Sequence, residues 1–180
     1  MRRSLPSIGL AIAVALVLAL PGSGSATAKP KPTRATVNDK AGDAPAQIDL
    51  LQGKYVLTKK GASFEVRVKQ LSETTFLAFE VHPLSVGWDR LAIYRENGRT
   101  VGKLYYIDTE EEITPYLSKC PGLKLSWSSS ADTVTAFIPM GCMQASASAS
   151  PGEHGFEVHS RIGGVKNSPG DSIKAVDLFL

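Results

Sequence analysis

The chain has 180 residues, with 20 Lys and Arg against 17 Asp and Glu, a formal net charge of +3 and 43% hydrophobic residues. That length suits one domain with a real core. The small basic surplus excludes the concentrated positive face that nucleic-acid binding demands, so no nucleic-acid partner is expected.

The N-terminus reads as a secretory signal peptide over residues 1–28. Arg2 and Arg3 form a basic start, residues 8–20 are almost wholly apolar, Pro21-Gly22 breaks the run, and Ala26-Thr27-Ala28 offers small residues for cleavage between Ala28 and Lys29. Thirteen apolar residues fall short of the roughly twenty that span a bilayer, so no transmembrane segment is expected after processing. The basic pair follows Met1 directly and lacks the flanks of a twin-arginine signal, and no cysteine lies nearby to carry a lipid. The predicted product is secreted, extracellular and monomeric. Both arginines leave with the peptide while all the acids stay, so its net charge falls to +1.

Residues 29–35 open on Lys29-Pro30-Lys31-Pro32 and read as a flexible linker, and residues 36–180 as a single domain. From Thr36 onward apolar residues recur with period two. Phe64, Val66 and Val68 oppose Glu65, Arg67 and Lys69. Leu77, Phe79 and Val81 repeat the pattern, as do Leu91 and Ile93, then Leu123, Leu125 and Trp127, then Val134, Ala136 and Ile138, and finally Phe156, Val158 and Ile162. Such runs between Gly, Pro, Asn and Ser clusters are half-buried strands. Lys59-Lys60-Gly61, Asn97-Gly98 and residues 128–132 are turn signals, Asn97-Gly98 being the strongest hairpin signal of the three. At most a single helical turn fits residues 110–117 or 140–144, and residues 144–152 read as a loop. The prediction is an all-β, antiparallel, jelly-roll-like sandwich of about nine strands, since a parallel sheet would need crossover helices.

Cys120 and Cys142 are the only cysteines. In an exported protein the expectation is one disulfide, tying the ends of the hairpin between them. The acidic stretch Asn38-Asp39-Lys40-Ala41-Gly42-Asp43, with Asp49 six residues on, offers oxygen ligands on a chain able to bend. Asp39, Asp43 and Asp49 are therefore candidate calcium ligands, against the alternative of an Asx-rich turn, since the ligand set is incomplete and lacks the spacing of an EF-hand. No other cofactor is required.

The order Asp39-x-x-Gly42-Asp43, then Asp49-Leu50 leading into a strand, resembles the opening of the DOMON-like and family 9 carbohydrate-binding-module group of secreted β-sandwiches, and the alternating strands extend the likeness to about Ile138. The resemblance implies a sandwich that binds sugars or, in some members, haem, sometimes with structural calcium. The paired cleft tryptophans of the sugar-binding members, and a Met/His pair to ligate haem, have no assignable counterpart here.

Trp127 shares a face with Leu123 and Leu125 and is expected in the core. Trp88 lies between Gly87 and Asp89, where it either caps one end of the sandwich or stacks on a ligand. Trp88 and Tyr94 are the candidate ligand-binding residues, with Tyr105, Tyr106 or Tyr116 extending the platform. His82, His154 and His159 read as surface or edge residues, and Glu110-Glu111-Glu112 as a solvated charge run. No Gly-x-Ser-x-Gly turn and no phosphate-cradling loop occurs. The expected function is a non-enzymatic binding module, with a polysaccharide as the leading ligand class. The alternative is a structural or protein-interaction component of the cell envelope.

Overall fold

The computed structural model describes residues 33–83, 87–107, 113–115, 120–143, 153–165 and 168–179. Two antiparallel sheets pack face to face, their strands numbered in chain order. The first holds β1 (Arg34–Asn38), β2 (Leu50–Thr58), β3 (Gly61–Val68), β9 (Thr133–Pro139) and β8 (Lys124–Ser128), side by side in that order. The second holds β11 (Gly170–Phe179), β10 (Glu153–Ile162), β4 (Thr75–Pro83), β5 (Trp88–Glu96), β6 (Arg99–Ile107) and β7 (Ile113–Pro115). The chain changes sheet three times, between β3 and β4, between β7 and β8 and between β9 and β10. The first and last crossings lie side by side, with β9 beside β3 in one sheet and β10 beside β4 in the other.

The all-β antiparallel sandwich is therefore as expected, with eleven strands among the described residues against the nine predicted. One addition, β1, begins at Arg34, inside the stretch assigned to the linker. Ala35 and Val37 pack against the core while their neighbours face solvent, and Arg34 pairs with Val56, so two apolar residues suffice to dock an edge strand. The other is the three-residue β7, where a helical turn was expected; Ile113 pairs with Ile107 instead. The turn expected at 140–144 appears as the 3-10 helix Met140–Cys142. The signal peptide 1–28, the Ala28–Lys29 cleavage point, most of the linker, Glu110–Glu112, Tyr116 and the 144–152 loop lie outside the described residues. No helix among the described residues is long and apolar enough to cross a membrane.

Strand parity builds the core. Leu77, Phe79 and Val81 on β4, Leu91 and Ile93 on β5, and Phe156 and Val158 on β10 are buried between the sheets, facing Tyr55, Leu57, Phe64 and Val66. At the centre, Phe64 contacts Phe79 and Phe156 at ring-centroid distances of 4.9 and 5.5 Å, and Tyr55 contacts Phe156 at 5.9 Å. Asn97 and Gly98 take positive φ (50° and 71°), the left-handed pair that a two-residue hairpin requires, and so lock Glu96 opposite Arg99. Gly102 permits a close approach between sheets: a Cβ there would lie 2.5 Å from Leu125 Cδ1.

Cys120 and Cys142 are bonded, with Cα atoms 5.7 Å apart, and the bridge closes the base of the β8–β9 hairpin. A loop of this size removes about 3 kcal/mol of unfolded-chain entropy. Replacing both cysteines with serine is therefore expected to lower unfolding free energy by about that amount in denaturant titration. Intact-mass measurement without reduction should show two protons fewer than the reduced chain, and two alkylatable thiols would contradict the bridge.

Candidate functional site

The outward residues of the six-stranded sheet fall into rows across the strands, because directly paired residues share a face. One row is His159, Ala78, Ala92, Lys103. Beside it on one side runs Arg161, Phe76, Tyr94, Val101, and on the other Glu157, Glu80, Arg90, Tyr105. The two alanines are too short to fill the space between their longer neighbours. They form the floor of a trough of about 440 Å³ lined by Phe76, Glu80, Arg90, Tyr105, His159 and Arg161. Four strands at the usual spacing make it about 14 Å across.

The two banks differ in chemistry. Phe76 and Tyr94 stack with ring centroids 5.9 Å apart, Arg161 lies over Phe76 at 4.3 Å, and Lys103 lies over Tyr94 at 5.6 Å. On the opposite bank the Glu80 side chain is 4% exposed. Arg90 Nε donates to its Oε1 at 2.6 Å, and His82 Nε2 lies 3.0 Å from its Oε2. An ionised carboxylate only accepts, so His82 carries its proton on Nε2. His159 Nε2 stands 3.7 Å from Glu80 Oε2 and 3.4 Å from Glu157 Oε1. Burial pushes the Glu80 carboxyl up, but His159, His82 and Arg90 together outweigh it and hold the group far below the usual range. The Glu80 carboxylate, against the opposing effect of burial, raises the His159 imidazole above its ordinary value.

Trp88 and Tyr94 lie on this same outward face of β5, six residues or about 20 Å apart. Trp88 is half-buried and stacks on His82, with centroids 5.4 Å apart, at the rim beyond the charged bank. Tyr94 forms part of the aromatic bank. Trp127 packs against the core as expected, with Arg95 over its ring. Of the histidines, His154 is buried at 1% exposure on β10 rather than at the surface, because its neighbour Gly155 takes the outward position in the pairing with His82.

The acidic segment behaves differently from its sequence pattern. Asp39 and Asp43 converge, but the third carboxylate beside them is Asp171 of β11, each offering an oxygen within 4.8 Å of the others. Asp49 is not part of that trio. It is fully buried, accepts from Gly42 N at 2.8 Å and pairs with Lys69 at 3.2 Å, and so braces the loop from beneath. Asp171 also accepts from Leu50 N at 2.7 Å, linking the two sheets. Burial raises the Asp171 carboxyl, opposed by its two backbone donors and reinforced by the charges of Asp39 and Asp43.

Sequence reading missed Phe76, Glu80, Arg90, His159 and Arg161 as neighbours, since β10, which supplies His159 and Arg161, lies far along the chain from β4 and β5. Comparison with known protein families and with curated proteins finds no match.

The titrations of the cluster have opposite signs. His159 has a raised folded value, so its contribution to stability is complete below 6.5 and is lost as pH rises through the folded value. Glu80 is depressed, so its contribution is present above 4.5 and lost as pH falls through its folded value. The two coexist between those limits. Melting temperature is expected to fall as pH rises above this window, and His159→Gln should flatten that alkaline decline. A wild-type profile already as flat as the variant's would contradict the assignment.

Proposed function

We propose that the protein is a non-enzymatic extracellular binding module that takes a polysaccharide segment across the trough of the six-stranded sheet. The supporting observation is the pairing of an aromatic bank, Phe76 with Tyr94, and a fixed polar bank, Glu80 with Arg90, on either side of an alanine floor. A sugar ring has an apolar face and an equatorial belt of hydroxyls. The first suits an apolar aromatic surface, and the second suits charged donors and acceptors that are already oriented. Both arginines present here, Arg90 and Arg161, are held in place by neighbours, so little side-chain freedom is lost on binding.

Trp88 at the far rim extends the same face, so a chain longer than the trough reaches it. A glycan array followed by calorimetry on the hit tests this. Phe76→Ala and Tyr94→Ala should each weaken binding about tenfold or more, by analogy with other aromatic anchors. Trp88→Ala should matter only for longer oligosaccharides. An empty array, alongside a protein partner whose binding Tyr94→Ala abolishes, would transfer the face to the envelope-interaction reading.

A structural role for calcium forms part of the proposal. Asp39 Oδ2 is buried with no hydrogen-bond partner among the described residues, and the Asp39 carboxylate crowds together with those of Asp43 and Asp171. A hard cation accepts such oxygens and relieves their repulsion. It would join the loop at residues 39–43 to β11 and carry out no chemistry. Calcium at a hundredfold excess over its Kd should add about 2.7 kcal/mol of stability, seen as a higher melting temperature than in chelator. Asp171→Asn should abolish the difference, and an unchanged melt in the wild-type protein would reduce the cluster to an acidic turn.

A further inference from the structure

We infer that Glu80, Glu157 and His159 form a binding site for a first-row divalent cation, zinc foremost, on the polar bank of the trough. The three side chains offer ligand atoms that all lie within 4.8 Å of one another. Two of the separations are 3.4 Å, from His159 Nε2 to Glu157 Oε1, and 3.7 Å, from His159 Nε2 to Glu80 Oε2. Zinc bonds imidazole nitrogen and carboxylate oxygen at about 2.0–2.2 Å, so two ligands at the tetrahedral angle stand about 3.4 Å apart. At those two separations the ligand atoms already stand within a few tenths of an ångström of that spacing, and the two carboxylates offer oxygens within 4.8 Å of each other.

The surroundings support the same reading. Glu80 is nearly excluded from water, and its Oε1 is taken by Arg90, which leaves Oε2 turned towards the imidazoles. Arg90 and His82 stand where partners that orient a ligating carboxylate normally stand. The donor set is one nitrogen and two carboxylate oxygens, with both cysteines committed to the disulfide. That mixture suits zinc, nickel or copper better than magnesium or calcium, which prefer oxygen alone. Three protein ligands leave at least one position for water or a ligand atom, and both Glu80 and His159 line the cavity. Bound there, the cation offers a ligand in the trough a coordination point beside the aromatic bank. The site is separate from the Asp39–Asp43–Asp171 trio in place and in chemistry.

The test is isothermal titration of zinc alone into the chelator-treated protein, so its outcome is independent of whether any glycan binds. The expected result is one saturable equivalent. His159→Ala and Glu157→Gln should each weaken it by more than about tenfold, whereas Asp171→Asn should leave it unchanged. Both substituted positions are partly exposed, and metal-free melting curves confirm that the variants fold. Lack of a saturable equivalent in the wild-type protein, or wild-type affinity in either variant, overturns the site.

Discussion

A buried glutamate, Glu80, sits at the middle of the outer face of the six-stranded sheet, and the arrangement of that face depends on it. An isolated buried charge is costly enough that the group would otherwise take up a proton. Glu80 instead gathers Arg90 from β5, His82 from its own strand and His159 from β10, each supplying part of the compensation. Those three side chains are thereby held in fixed positions. Their fixed positions form one bank of the trough and leave the alanine floor uncovered.

The inner and outer faces of these strands solve different problems with the same parity. Leu77, Phe79 and Val81 fill the space between sheets and anchor β4 to the core, while Phe76, Ala78, Glu80 and His82, one residue out of phase, carry the site. A one-residue slip would exchange the two sets, burying a carboxylate in the aromatic core. The turn at Asn97-Gly98 and the long pairing of β4 with β10, from Thr75 opposite Ile162 to Pro83 opposite His154, hold the register against that slip. The rigidity of the sandwich is therefore what orients the trough. At the end of the sandwich, Ser160 donates to the Ile48 carbonyl and Thr75 to the Gln47 carbonyl, so the N-terminal loop is tied to the second sheet by polar contacts as well as by packing.

The two kinds of structure differ in how legible they are in sequence. Strand existence follows from alternation, which is local, and Phe64, Val66 and Val68 or Phe156 and Val158 declare it without reference to anything distant. The disulfide follows from having two cysteines at the ends of one hairpin. The pairing of Arg90 with Tyr105 is also recoverable, since the Asn97-Gly98 turn fixes it. What the alternation cannot specify is which strand lies beside β4. Glu80 and His159 are 79 residues apart, and only the β4–β10 register brings them together. Asp171 escaped for the same reason, because the local spacing of Asp39, Asp43 and Asp49 pointed along the chain whereas the third carboxylate came from β11. Pro30 and Pro32 mark residues 29–35 as linker and so hide β1, although Ala35 and Val37 carry the apolar alternation of an edge strand.

Glu80 stays ionised while buried because Arg90, His82 and His159 together stabilise its charge. The most direct measurement is a carbon-detected NMR titration of the Glu80 side-chain carboxyl in the folded protein. Its chemical shift should remain flat as pH falls through 4.5, the ordinary value of a glutamate carboxyl. A Glu80 transition at or above that value would show that burial outweighs Arg90, His82 and His159, and the account of the trough's polar bank would fail.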